Sequence, residues 1–233
     1  MDELIAAAKA KYQANPTEHA AIAGYADLLT RRENEAEEKM AMRVLLEAHE
    51  ATKEFRYRMR AEDIRLRQLR RRLRVAEESD GADSPLAKEM RTKLLSAQLK
   101  VLKERMRQFP TDLRIKYDFG RLLFDTGNYD EAIPVLQEAR ADPKARHLAS
   151  LYIGRCFFEK NYFVQAVDVF TEAIEGYEVP DDRLAKDLQY WLGRSLESGG
   201  KTDEAVKVYG QLIQLDYNFR DVRKRIDGLR PQG

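Results

Sequence analysis

Phe119-Gly120-Arg121, Ile153-Gly154-Arg155 and Leu192-Gly193-Arg194 mark the stretch, Leu113 to Leu212, that decides how this chain folds. The second triplet lies 34 residues after the first, and the third 39 residues after the second. A period of this size is the signature of a stacked repeat. Behind each glycine, at fixed offsets, come a small residue, a bulky one and usually another small one. The sets are Ala132, Leu136 and Ala139; Ala166, Phe170 and Ala173; and Ala205, Tyr209 and Leu212. The pattern predicts two short amphipathic helices per unit. The small positions let the paired helices approach closely, and the bulky ones fill the gaps between them. Turn signals separate the helices at Thr126-Gly127-Asn128, Lys160-Asn161 and Ser198-Gly199-Gly200. Asp-Glu-Ala opens the second helix at Asp130 to Ala132 and at Asp203 to Ala205, where the helix dipole favours negative charge.

Gly127-Asn128-Tyr129-Asp130-Glu131-Ala132, with the 34-residue spacing, resembles the tetratricopeptide repeat (TPR) family over roughly residues 110–218. The resemblance implies an all-α fold, a TPR-type α-solenoid of antiparallel helix pairs, and a non-catalytic scaffold or adaptor role. Three features depart from the family pattern. Trp191 sits two places late, Asn161 replaces the usual turn glycine, and five extra residues lie between Gly176 and Arg183.

The family's first helices line a concave face. Carried over residue by residue, that face places Arg121, Arg155 and Arg194 in a ladder, with Tyr117, Tyr190, Phe124 and Phe158 beside it. Such a groove fits a partner protein that presents an acidic segment with apolar anchors. The bland alternative is that these arginines only pair with neighbouring acids.

Residues 34–79 contain no glycine and no proline and are rich in strong helix formers. If continuous, they form one helix of about 45 residues, ~67 Å long. Ala41, Leu45, Ala48, Thr52, Phe55 and Met59, then Leu66, Leu69, Leu73 and Ala76, form a heptad-like, coiled-coil seam. Asp80 to Pro85 breaks it, and residues 86–109 carry a matching seam of Leu95, Leu99, Leu102, Met106 and Phe109. The expected organisation is therefore a helical pair over 1–33, an antiparallel hairpin of a long Arg-rich helix and a return helix over 34–109, three repeats over 110–218, and a capping helix with tail over 219–233. The phase of the first helix, ended by Asn15-Pro16, places the start of the chain inside a repeat.

Nine arginines fall between Phe55 and Val75: Arg56, Arg58, Arg60, Arg65, Arg67, Arg70, Arg71, Arg72 and Arg74. Against Glu62 and Asp63 they leave the stretch at +7, while residues 112–216 hold 13 basic and 19 acidic residues. Three uses compete for this basic helix. It is a solvated face whose arginines pair with nearby acids, a dock for an acidic protein surface such as the repeats of another copy, or a binder of nucleic acid or anionic membrane. Only Phe55 and Tyr57 offer stacking, which is thin for single-strand recognition.

Other classes are disfavoured. The chain of 233 residues has a net charge of +1 and 35% charged residues. It has no apolar run near the ~18 residues a membrane helix needs and no signal-peptide pattern, so a cytoplasmic protein is expected. The single cysteine, Cys156, excludes an intrachain disulfide and reads as a packed thiol. His19, His49 and His147 lack metal-ligand spacing. No phosphate loop or nucleophile elbow occurs. No cofactor, metal or enzymatic activity is expected.

Overall fold

A computed structural model describes residues 1–179 and 181–229. The chain divides into two compact units, Met1–Val101 and Leu102 onward. In the first, α1 (Asp2–Ala14), α2 (His19–Thr30), α3 (Glu35–Thr52) and α4 (Phe55–Asp80) pack in succession. Their core is Ile22, Tyr25, Ala26 and Leu29 of α2, Ala41, Val44, Leu45 and Ala48 of α3, and Tyr57, Ala61 and Ile64 of α4. Asn34 caps α3, its side chain accepting from the amides of Ala36 and Glu37 at 2.9 and 3.2 Å.

The stretch 34–79 is not one helix. It breaks between Thr52 and Phe55, where Lys53 takes the left-handed conformation at φ 60°. The break is held by polar groups. Thr52 Oγ1 donates to Ala48 O at 2.7 Å and accepts from the Glu54 amide at 3.2 Å. His49 Nδ1 lies 3.0 Å from Glu54 O. A non-glycine residue in this region costs roughly 1–2 kcal/mol. Folding back offsets that cost by burying Tyr57, Ala61 and Ile64 against α2 and α3, at ~1.5–3 kcal/mol for each large apolar side chain. The buried stripe on α4 is thus two residues out of phase with the expected Thr52-Phe55-Met59 seam, which a straight helix would have required.

The other face of α4 carries Leu66, Leu69 and Leu73, which pack on Leu94, Ala97 and Val101 of α5 (Pro85–Gln108). Between these helices the chain turns at Gly81, φ 89°. Ser84 Oγ then accepts from the Ala87 amide at 3.1 Å and caps α5.

The second unit contains α6 (Leu113–Asp125), α7 (Tyr129–Ala139), α8 (Arg146–Glu159), α9 (Phe163–Glu175), α10 (Arg183–Ser198), α11 (Thr202–Leu215) and α12 (Val222–Leu229). Each first helix packs on its own second helix, α6 on α7, α8 on α9 and α10 on α11. The first helices also neighbour one another, α6 beside α8 and α8 beside α10, so they form a continuous row. One contact recurs in every pair. A methyl group on Gly120 would fall 2.6 Å from Leu136 Cγ, one on Gly154 would fall 2.5 Å from the Phe170 ring, and one on Gly193 would overlap the Tyr209 ring. Leu136, Phe170 and Tyr209 are fully buried.

The turns repeat as closely as the contacts. Gly127, Asn161 and Gly200 all have positive φ, at 79°, 61° and 78°. The next residue's amide reaches back to a carbonyl of the preceding helix in each case: Asn128 to Leu123 at 2.8 Å, Tyr162 to Phe157 at 2.8 Å, and Lys201 to Leu196 at 2.9 Å. These are Schellman ends. Asn161 serves because asparagine tolerates the left-handed region better than other side-chain-bearing residues do. Past the longer connection, Asp182 caps α10 by accepting from the Ala185 amide at 2.8 Å. Val222 and Ile226 of α12 are buried in the core of α10 and α11.

Two identical substitutions separate packing from propensity. Gly154→Ala should lower the free energy of unfolding by ~1–3 kcal/mol, because the Phe170 ring must move. Gly210→Ala, within α11 where nothing lies within 4 Å of the added methyl, should raise it by ~0.5–1 kcal/mol. Denaturant midpoints of the two variants check both signs.

Candidate functional site

The row formed by α6, α8 and α10 brings the three expected arginines onto one face of the second unit. Each second-row arginine lies over a ring of the repeat before it. The Arg155 guanidinium sits 4.4 Å from the Phe124 ring centre, 4.9 Å from that of Trp191 and 5.5 Å from that of Tyr152. The Arg194 guanidinium sits 5.1 Å from Phe158, 5.5 Å from Trp191 and 5.9 Å from Tyr190. The rings also pack edge to face on one another, Phe124 with Tyr152 at 5.3 Å and Phe158 with Trp191 at 5.2 Å. Arg121 is exposed and stands beside Tyr117. Burial is the main cause that pushes the Tyr117 hydroxyl up to about 12, with Arg121 pulling the other way.

Stacking holds a guanidinium flat without neutralising it. Each contact contributes ~0.5–2 kcal/mol, more as water is excluded. Among the described residues, no carboxylate forms an ion pair with Arg121, Arg155 or Arg194, and the buried Nε atoms of Arg155 and Arg194 have no hydrogen-bond partner. Arg194 does donate from Nη1 to the Tyr190 hydroxyl at 3.2 Å. Pairing with neighbouring acids therefore does not explain this ladder.

The aromatic residues play a different part from the one expected. Phe124 is 8% exposed and Tyr190 4%. They are platforms under the arginines and offer little surface of their own, whereas Tyr117 and Phe158 keep half-buried faces. Two rings were missed. Trp191 joins the second and third arginines, and Tyr152 lies beside the second. Their position two residues before the repeat glycine was a usable signal.

The third repeat's end of the face is filled by the chain itself. Arg220 pairs with Asp187 at 2.6 Å and lies 4.6 Å over the Tyr190 ring. Asp221 accepts from the Tyr190 hydroxyl at 2.8 Å. Arg225 reaches Glu197 at 3.0 Å and Asp221 at 2.9 Å. The open part of the row is thus the surface over Tyr117, Arg121, Arg155 and Phe158.

The basic helix α4 is largely neutralised inside its own unit. Arg71 and Gln68 both donate to Glu38, a carboxylate only 1% exposed, Gln68 at 2.7 Å. Arg72 grips Glu35 through two hydrogen bonds of 2.9 and 2.8 Å. Arg60 pairs with Asp27, Arg56 with Glu54, and Arg58 with Glu62. Arg74 reaches Glu78 at 3.9 Å, and Arg67 and Arg70 are exposed. Cys156 is buried in α8, and burial pushes its thiol up to about 12, which makes it a packed thiol and not a reactive one. Among the described residues, no helix is long and apolar enough to cross a membrane.

The tetratricopeptide repeat family matches this chain twice, over residues 117–182 and residues 187–216. These residues are tetratricopeptide repeats, and the second unit is an α-solenoid built from them. Solved structures share the fold. YrrB, described as a TPR protein with an unusual peptide-binding site, is 16% identical with a TM-score of 0.58, over 94% of this chain and 96% of its own. A MamA crystal structure is 20% identical with a TM-score of 0.53, over 61% of this chain and 81% of its own. MamA (residue 41 to the end) from Desulfovibrio magneticus RS-1 is 16% identical with a TM-score of 0.50, over 70% and 82%. No curated protein matches the chain.

The carboxylates that anchor α12 make its seating acid-sensitive. Burial raises the Asp221 pKa, but hydrogen bonds from Tyr190 and Arg225 outweigh it and hold the group below its ordinary value. The Lys186 ammonium does the same for Asp216, just before α12. A depressed carboxylate contributes stability above its unfolded pKa, ~3.9, and loses it as pH falls through the folded value. Amide exchange in α12 should accelerate below about pH 4 before that in α8 does. Equal acceleration in both helices would mean these anchors carry no weight.

Proposed function

We propose that the open part of the concave row, Tyr117, Arg121, Arg155 and Phe158 with Arg194 at its edge, captures a segment of another protein that presents carboxylates. Arrays of this family are protein–protein interaction scaffolds and in general non-catalytic. The observation that carries the finer reading is the pair of guanidiniums held between rings with no carboxylate at hand. Their N–H edges are pre-oriented, so a carboxylate gains charge-assisted hydrogen bonds without the entropy of ordering a free arginine. The half-buried faces of Tyr117 and Phe158 offer the apolar contact that usually carries more affinity than rim charges. The peptide-binding site reported for YrrB, on the same fold, supports a peptide as the ligand.

Matched peptides test this, one carrying glutamates and its twin carrying glutamines. Fluorescence anisotropy should show the acidic peptide binding about 5–150-fold more tightly, the equivalent of ~1–3 kcal/mol for a hydrogen-bonded charge. Arg155→Lys should lose most of that preference while the thermal midpoint moves by only a few degrees, because lysine keeps the charge but not the stacked fork. Equal binding of the two peptides, or an unchanged preference in Arg155→Lys, would remove the assignment.

A further inference from the structure

Two charged stripes on this chain remain outside the groove, and they match each other. On α4, Arg67, Arg70 and Arg74 occupy one exposed face, and residues 65–74 contain no acid. Arg67 and Arg70 have no ion-pair partner among the described residues, and Arg74 has only the 3.9 Å approach to Glu78. On α9, the outer face carries Asp168, Glu172 and Glu175, all exposed, and the helix contains no lysine or arginine. Glu172 is shared with Arg140 but stays 65% exposed.

The spacings are complementary. The basic stripe steps by three and then four residues. The acidic stripe, taken backwards, also steps by three and then four. Laid antiparallel, Arg67 faces Glu175, Arg70 faces Glu172 and Arg74 faces Asp168. Each stripe covers two turns, ~10 Å at 1.5 Å per residue. We infer that α4 of one copy docks antiparallel on the outer face of α9 of a second copy, through this charge register.

A second copy fits better than a polyanion. A polyanion would neutralise Arg67, Arg70 and Arg74 and leave the acidic stripe on α9 unanswered, whereas a second copy answers both. Two different surfaces meet, so the contact is heterologous and leaves a free stripe at each end, which permits growth beyond a dimer. Exposed ion pairs contribute at most ~1 kcal/mol each, so the association is weak, concentration-dependent and sensitive to salt. The groove plays no part in it.

Sedimentation of three proteins tests the inference. The wild type should exceed its 27.0 kDa monomer mass at low ionic strength and high protein concentration, and return to it near ~1 M salt, where screening shortens to ~3 Å. A basic-stripe reversal, Arg67→Glu, Arg70→Glu and Arg74→Glu, should be monomeric alone. An acidic-stripe reversal, Asp168→Arg, Glu172→Arg and Glu175→Arg, should also be monomeric alone. Mixed together the two reversals should associate, because every α4–α9 contact between unlike copies is again opposite in charge. Association of the mixture also shows that both variants are folded. A wild type that is monomeric at low salt overturns the inference, as does a reversal that leaves the mass unchanged or a mixture that stays monomeric. Loss of single-stranded nucleic-acid binding in the basic-stripe reversal, with self-association unaffected, would assign the stripe to a polyanion instead.

Discussion

The repeats depend on three glycines meeting three large side chains. Gly120, Gly154 and Gly193 have no room for a methyl group, because Leu136, Phe170 and Tyr209 occupy that space. A pair of helices that touches backbone to side chain at one point is fixed in separation and in crossing geometry there. Fixing all three pairs in the same way sets the first helices side by side in one row. The arginine that follows each glycine then has to emerge on that row. The row of arginines is therefore a by-product of the packing constraint, offset from it by a single residue.

The two internal junctions of the row and the last one use different physics. Arg155 on Phe124 and Arg194 on Phe158 are cation–ring contacts between successive repeats. At the next step Glu197 stands where the phenylalanines stood, and Arg225 of α12 meets it as an ion pair. The inner contacts leave the arginines charged and unneutralised. The last one cancels its charge and closes the row. One register thus supplies half-buried, unneutralised guanidiniums in its middle and a sealed end.

The period, the helix pairs and the turn positions were legible in the sequence because they rest on local rules. Gly127 and Gly200 punctuate, and Asn161 fills the same place. The break at Lys53 was not legible. Helix propensity is high throughout and no glycine or proline marks the site, so the signal lay in the phase change between Ala48 and Tyr57. Charge was misleading for the same reason. The arginines of α4 meet Glu35 and Glu38, more than thirty positions earlier in the chain, which a count over one window does not register. The ladder itself was legible, since one residue type recurs beside each glycine. The part played by Trp191 was not, because it depends on rings and guanidiniums from two different repeats.

Trp191 is the sole tryptophan of the chain. It lies against both Arg155 and Arg194, with Phe158 on its edge. Nearly all the long-wavelength fluorescence of this protein therefore originates at one spot on the row of first helices, beside two positive charges. An indole in that position responds to the local field, and a carboxylate arriving at either guanidinium changes that field directly. The molecule thus carries an intrinsic optical reporter between two of its stacked arginines, with no second indole elsewhere to blur the signal.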